Sequence, residues 1–584
     1  MDVATRNRSK FASAALTGTL LSTIFTGAVL IVAPAAAAPA ETFAATDRSG
    51  GERFPAKPAR PAPSKQINDD DGGPLRGLVV PQIVLAPVKL SALLAEDDAV
   101  AAGSPLKMVR AGIGRKVEIG SSSGNWYDVP AGRVWLGEII SPDALGLRVQ
   151  FSQLQLPKNA ELAVTRPGLD ERAEQIAWVE ADARLRGEAV AALIGGERAR
   201  IEYFVPNGSF LPQEYRLPFV VSGVQHFYRD PLSGEVFNPR AAGACHNDVT
   251  CYASWASAAK AVARITFVKN GSSYLCTGQL VNAQNSDLTP YWLTANHCMS
   301  TQAVASTTQF FWRYQTSTCG GTPPSLASVP TSTGATLLST GAASDYTLLM
   351  VEGGLPSGLT WVGWTSAAVA SGTASTSIHH PSGDYKRISF GNKSAAATSC
   401  GGASHVRIDW TDGPTEGGSS GGGIFRNDTQ QLYGQLHCGG SACGNETNDD
   451  YGAFSATYPN ISSLLAAGSD DASENNDSCA APRAVLAGTY SNRIVKSTDA
   501  DWYSISVPAG KSLNVSLSFT HTNGDIDTAL YPACGGTAVA TSGGSGNTET
   551  MTVTNTGIVA RTYYLNVFLY ADTRNTYSMT LSIP

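Results

Sequence analysis

Cysteine is missing from the first 244 residues, although the 584-residue chain holds ten, all at or beyond Cys245. The absence divides the polypeptide into a long N-terminal part that no disulfide can staple and a remainder whose cysteines are even in number. A surplus of charge is missing too. Residues 1–240 carry 26 basic and 26 acidic side chains, 241–469 carry 9 and 12, and 470–584 carry 6 and 10. No segment is therefore a basic face for nucleic acid, and the formal net charge of −7 is mild. Beyond residue 40 no apolar run is long enough to span a bilayer. What remains is a chain too long for one core, so about two to four domains are expected.

Arg6, Arg8 and Lys10 precede an uncharged run from Phe11 to Val32, followed by the small-residue tract Ala35–Ala40. Residues 1–40 read as an export signal cut near Ala38 or Ala40, which leaves no stable membrane anchor. Secretion agrees with the even cysteine count, because disulfides persist outside the reducing cytosol. From Glu41 to about Pro74 the prolines Pro55, Pro58, Pro61 and Pro63 and the scattered charges predict a disordered linker. From Leu75 to Arg240, strand-like alternation in 133–140 and 146–151 and a helix through Arg172–Leu185 predict a folded α+β or mainly β segment. It ends at Arg240 before Ala241, a candidate cut site for an enzyme that recognises basic side chains.

Between Cys245 and about Ala467 short apolar segments recur, among them 261–268, 291–295, 309–314, 346–351, 406–410 and 431–436. Such spacing predicts an all-β barrel or sandwich, closed by a short helix near Ile461–Ala467. An acidic connector over 468–478 leads to a second β-rich unit, 479–584, with alternation that suits a small sandwich.

Gly417–Gly423 is a polar, glycine-dense knot holding Ser419 and Ser420. Gly/Ser runs are commonly linkers, but glycines also let backbone amides approach a ligand and let a serine stand at the tip of a tight turn. A serine hydroxyl becomes a nucleophile only with a base in reach, itself oriented by a carboxylate. His297 follows the apolar strand Tyr291–Ala295, and Asp345 precedes the apolar strand beginning at Tyr346. Singly, each reads as a structural histidine and a turn acid; together, the order His, Asp, Ser inside a β-rich exported segment points to acyl transfer. The amides of Gly418 and Ser420 would then face the oxyanion.

Five stretches make the likeness specific: Leu293–Cys298, Ser344–Leu349, Ile378–Pro381 followed by Lys386–Ser389, Thr415–Gly421, and Gly434–His437. On these, residues 245–467 resemble the secreted lysyl endopeptidases of bacteria, within the chymotrypsin-like serine proteases. The resemblance implies a double β-barrel with the site in its cleft, His297 as general base, Asp345 as orienting acid and Ser420 as nucleophile. It also implies the pairs Cys245–Cys443, Cys251–Cys319 and Cys276–Cys298; Cys400 is then set with Cys438, and Cys479 with Cys534. Asp449 is carried over as the acid at the base of the pocket, with Asp450 as the alternative if the register slips by one. A loop of solvated turn acids is the plain reading of that stretch. In lysine-specific relatives a tryptophan stacks on the histidine corresponding to His437. The position aligned with it here is Cys400, so a Cys400–Cys438 disulfide is expected to replace that wall, leaving lysine alone and lysine with arginine as open selectivities.

The last unit resembles the pre-peptidase C-terminal domain of secreted bacterial proteases, on Glu474–Cys479, Asp499–Tyr503, Gly524–Leu530 and Tyr577–Ser582. Its acids Asp499, Asp501, Asp525 and Asp527 read as exposed turn residues, with calcium binding as the alternative, and no metal is assigned. The expected protein is a monomeric preproenzyme: signal 1–40, pro-segment 41–240 acting as folding aid and inhibitor, protease domain 241–467, connector 468–478 and tail 479–584. Its partners would be protein and peptide substrates, with no cofactor. The alternatives are a protease of other selectivity and a catalytically silent barrel that serves as an adhesin.

Overall fold

Strands that alternate apolar and polar positions bury one face only, and this chain solves the burial with barrels and stacked sheets. The structure is a computed structural model describing residues 42–43, 45–47, 79–157, 159–167, 176–179, 188–208, 217–229, 242–283, 288–466, 471, 473, 476–496, 500–521, 524–571 and 574–584. The expected signal and the Arg240–Ala241 junction lie outside the described residues. Among these residues no helix is long and apolar enough to cross a membrane.

One barrel runs in the order Thr331–Thr333, Gln309–Trp312, Val262–Lys269, Ser272–Leu280, Tyr291–Ala295, Tyr346–Val351 and Ala335–Gly341. Its first and last members are separated only by Gly334, so one stretch of chain pairs with both neighbours and closes the ring. Trp292 fills it, edge-on to Phe310 and Trp312. A second barrel closes when Asn448–Ala453 pairs with both His405–Asp412 and Leu432–Gly439; Gly423–Arg426, Ala374–His379 and Arg387–Lys393 complete it. Helix Phe454–Ala466 follows and starts earlier than expected, because Pro459 inside it masks the helical pattern.

The N-terminal part is mainly β. Gly132–Ile140, Arg198–Pro206 and Glu161–Thr165 form one sheet over a core around Trp135, Tyr203 and Phe219. Its other sheet does not stop at a boundary. Strand Val109–Ile119 pairs with Val220–Phe227 on one side and with Ser272–Leu280 of the first barrel on the other.

Two expectations for the N-terminal part need correcting. The helix through Arg172–Leu185 is absent from its described residues: Ile176–Trp178 is a strand on Glu161–Thr165, which buries Ala177. Among the described residues the helix of this part is Leu90–Gly103; its leucines Leu90, Leu93 and Leu94 crowd its start and the rest, Val100 apart, is small or acidic, so no apolar stripe runs its length and it buries no residue. Within the expected linker, Thr42–Phe43 and Thr46–Asp47 pair antiparallel with Trp364–Thr365 and Thr360–Trp361 as short added strands.

The C-terminal sandwich stacks a sheet containing Asp501–Val507, Arg561–Ala571 and Asp525–Tyr531 on one containing Gly488–Lys496, Arg574–Ser582 and Ser512–Phe519. Asp501 is buried and accepts from the Tyr503 and Tyr577 hydroxyls, so it is not an exposed turn acid; Asp525 and Asp527 are half-buried. Asp471, in the acidic connector, is buried too, accepting from the Ile494 amide at 2.6 Å and from Arg493 at 3.0 Å. Disulfides join Cys245–Cys443, Cys251–Cys319, Cys276–Cys298, Cys400–Cys438 and Cys479–Cys534.

Lys386 enters the core of the two-barrel unit with its ammonium on the Ala259 carbonyl at 2.5 Å and the Gln315 amide oxygen at 3.1 Å. Burial, with the like charge of Arg313 nearby, pulls its pKa down to about 7 from 10.5. The unfolded chain therefore holds the extra proton between those values, and stability rises with pH across that window, by at most about 1.4 kcal/mol per pH unit. Thermal unfolding from about pH 7 to about pH 10 is expected to show this rise, and Lys386→Met is expected to flatten it.

Candidate active site

The glycine-dense turn after Thr415 puts Ser420 between the barrels. Gly418, at φ +95°, has no room for a side chain, since a Cβ there would lie 2.8 Å from the His380 carbonyl oxygen. Neighbouring Ser419 is tied to His379 Nδ1 at 2.7 Å, and His379 Nε2 to Ser389 Oγ at 2.8 Å. Burial holds His379 well below the usual histidine range, so it braces the turn as a neutral ring.

His297 leaves the end of Tyr291–Ala295, and the Cys276–Cys298 disulfide fastens the next residue. Its amide donates to Asp345 Oδ1 at 2.8 Å and its Nδ1 lies 2.7 Å from Asp345 Oδ2. Its Nε2 lies 2.7 Å from Ser420 Oγ. A carboxylate only accepts, so Nδ1 carries the proton and Nε2 is left to accept from the serine hydroxyl. Asp345 adopts φ +51°, a backbone state that Asp tolerates better than most residues. Three side chains far apart in sequence thus form one hydrogen-bonded line.

Beside them lies a pocket whose floor is Asp449, wholly buried. Its Oδ2 accepts from Trp410 Nε1 and Thr415 Oγ1, each at 2.7 Å, and from the Ser441 hydroxyl. Adjacent residues of a strand face opposite ways. Asp450 accordingly points away from the pocket, accepting from the Ser399 and Cys400 amides at 2.5 and 2.9 Å.

Lys107, from the N-terminal part, fills this pocket. Its ammonium lies 3.1 Å from Asp449 Oδ1 and donates to the Thr415 carbonyl at 2.9 Å, the Ser441 carbonyl at 2.5 Å and Ser441 Oγ at 3.1 Å. Its own carbonyl oxygen accepts from the Gly418 amide at 2.5 Å and the Ser420 amide at 3.3 Å. Burial lowers the Lys107 pKa, and Asp449 opposes that shift most. Nothing in the sequence singled out Lys107 among the 26 basic residues before 241.

His437 lies tilted against His297, ring centres 5.6 Å apart, with Nε2 3.9 Å from Asp345 Oδ2. The wall beside it is made by His405 together with the Cys400–Cys438 disulfide, whose sulfurs lie within 4.8 Å of a His437 ring nitrogen. The two rings sit 4.9 Å apart, and His437 Nδ1 lies 2.9 Å from His405 Nε2. The disulfide expected there is present, and His405, which opens the strand that pairs beside the pocket, adds a ring to which nothing in the sequence pointed. Burial lowers both histidines' pKa values.

A family model described as lysyl endopeptidase, C-terminal domain, matches residues 240–455, and one described as bacterial pre-peptidase C-terminal domain matches 499–569. Lysyl endopeptidase of Pseudomonas aeruginosa is 31% identical over 396 residues, covering 62% of this chain and 82% of that one. The chain belongs to the lysyl endopeptidase family. It is a serine endopeptidase. Secreted RxLR effector protein 73 of Plasmopara viticola is 28% identical over 215 residues, 35% of this chain and 51% of its own length, so this chain spans about half of that relative. Among solved structures, protease Anisep from Arthrobacter nicotinovorans is 17% identical, with 35% of this chain and 95% of that one covered at a TM-score of 0.27. That likeness is too slight to bear on the fold, which stands on its two closed barrels.

Gly439 tests the pocket of this family member. Its φ is +153°, and a Cβ there would fall 2.0 Å from Asp449 Oδ1. Gly439→Ala is expected to lower peptide cleavage about 100-fold, because small displacements of a bound substrate cost that much. Labelling of Ser420 by a small fluorophosphonate should persist, and its loss would show a damaged turn instead of a blocked pocket.

Proposed function

We propose that the chain is a secreted preproenzyme whose mature form cuts proteins after lysine. The observation that carries the selectivity is the Lys107 ammonium, in direct contact with Asp449 while the carbonyl of the same residue meets two amides. A compact ammonium with three donors matches the acceptors of Thr415, Ser441 and Asp449. An arginine side chain is a bond longer and ends in a broad planar fork, so it would strike the floor where lysine just reaches it. We therefore read lysine as preferred over arginine, with Asp449 as the selecting acid and the His437–His405 pair as a wall beside His297.

In this reading Ser420 attacks the carbonyl that follows the pocketed side chain, and His297 takes its proton while Asp345 steadies the imidazolium. The Gly418 and Ser420 amides bind the oxyanion, each worth roughly 3–4 kcal/mol in the transition state. His297 then protonates the leaving amine, and water releases the acyl group from Ser420. No cofactor enters this chemistry.

The organisation expected from the sequence supports the same reading: signal 1–40, pro-segment 41–240 acting as inhibitor and folding aid, protease domain 241–467, connector 468–478 and a β-sandwich tail 479–584, the whole acting as a monomer. The sheet shared between Val109–Ile119 and Ser272–Leu280 supports intimate folding of the pro-segment with the protease domain.

Digestion of a denatured protein followed by sequencing of the cut ends tests the selectivity. Lysine is expected before nearly every cut, and equal use of arginine would overturn the pocket argument. Asp449→Asn is expected to lower kcat/KM on lysyl substrates by about 10²–10⁴, the loss that follows when a buried charge pair loses a partner. Ser420→Ala is expected to lower kcat by about 10⁴-fold or more.

A further inference from the structure

Segment 105–110 lies through the site in the manner of a substrate on both sides of one peptide bond. Before that bond, the Gly439 amide donates to the Pro105 carbonyl at 2.9 Å, and Leu106 forms an antiparallel bridge with Cys438. Lys107 follows, 5% exposed, its side chain on Asp449 and its carbonyl on the Gly418 and Ser420 amides. After the bond, Met108 packs against the protease-domain core, while Val109 and Arg110 pair antiparallel with Leu275 and Tyr274. The chain thus continues through the cleft instead of ending in it.

The two flanks of this bond are also fastened to each other. Asp97, on helix Leu90–Gly103, lies before it; Arg110, Tyr228 and Arg229 lie after it. Asp97 Oδ1 accepts from Arg110 Nε at 2.7 Å, and Asp97 Oδ2 from Arg229 Nη2 at 2.6 Å and from the Tyr228 hydroxyl at 2.9 Å. Glu96 adds a contact to Arg110 at 3.1 Å. The Asp97 and Arg229 side chains are only 9% and 11% exposed, so this clasp is largely screened from water.

We propose that Lys107–Met108 is a self-cleavage site, and that the Asp97 clasp makes the cut segment a latch instead of a departing product. The proposal rests on the assignment of Ser420, His297 and Asp449 above. Ser420 Oγ adds to the Lys107 carbonyl carbon, its proton passes through His297 to the Met108 nitrogen, and the C–N bond breaks to leave Lys107 as an ester on Ser420. Water, deprotonated by His297, frees a Lys107 carboxylate and restores Ser420. An ordinary leaving amine diffuses away at the ester stage. Here Met108 is held by the strand pairing of Val109 and Arg110 and by the clasp, so its amine stays at high effective concentration and re-forms the bond in competition with water. Intact or cut, the segment keeps the pocket filled until the clasp is lost.

The test follows full-length protein from folding onward by intact mass and amino-terminal sequencing, in wild type, Ser420→Ala, Lys107→Gln and Asp97→Asn. A fragment beginning at Met108 is expected in wild type and absent from Ser420→Ala and Lys107→Gln. It should co-elute with the rest of the chain on size exclusion while hydrolysis of an added lysyl ester stays suppressed. Asp97→Asn should raise that early hydrolysis about tenfold, for a loss of roughly 1.4 kcal/mol in the latch. If Lys107→Gln does not fold, the comparison of wild type with Ser420→Ala still decides the cut, and Asp97→Asn decides the latch. Wild type that hydrolyses the ester yet never yields a Met108 terminus overturns the proposal and leaves the lysine reading intact. So does a Met108 terminus that also arises in Ser420→Ala. Ester hydrolysis and fluorophosphonate labelling that both stay absent in wild type and in Asp97→Asn to the end of the time course remove the underlying reading, and the proposal with it.

Discussion

A carboxylate that never meets water shapes the cleft. Asp449 is buried to 0% exposure, so its charge must be met by donors, and three side chains and one ammonium converge on it. Leaving such a charge without a partner costs on the order of 3–5 kcal/mol, which makes the pocket rigid in its demand for a cation. The rest of the second barrel accommodates this. Gly439 stays without a side chain to leave space above the acid, and strand pleating turns Asp450 outward to cap the loop at Ser399 and Cys400.

The same demand explains how the N-terminal part is bound. Its strand Val109–Ile119 continues the first barrel's sheet, and two residues before that strand Lys107 supplies the ammonium. Backbone pairing fixes where the chain runs, and the ion pair fixes its register in the cleft. Neither would suffice singly, since an edge strand can slip and an isolated lysine can find water. The clasp on Asp97 then couples the two sides of the chain where it crosses the nucleophile.

Much of the protease domain was legible because its signals are local. A histidine after an apolar strand, an acid before another and a serine in a glycine knot are visible in the text, and their resemblance to one family supplied roles that spacing could not. Signals that depend on distant packing were not legible. His405 was missed because no local feature separates a wall histidine from a surface one, whereas Cys400 and Cys438, which do stand beside His437, were marked by their cysteines. Helix Leu90–Gly103 was missed because its leucines are confined to its start and no apolar stripe runs its length, and the charged 172–185 stretch took its place in the reading, although Ile176–Trp178 pairs as a strand. Asp501 was read as exposed because a period-two pattern gives no warning that an acid on the inward face will find two tyrosine hydroxyls.

The amino-acid order alone determined a β-rich chain with a cysteine-free front, a nucleophile-bearing turn and a family likeness, because hydrophobic period, turn chemistry and cysteine count are properties of neighbours along the chain. The tertiary structure decided which acid faces the pocket, which ring lines it and which of many lysines occupies it. Those depend on strand pairing between segments hundreds of residues apart, where a shift of one position turns every side chain to the other face.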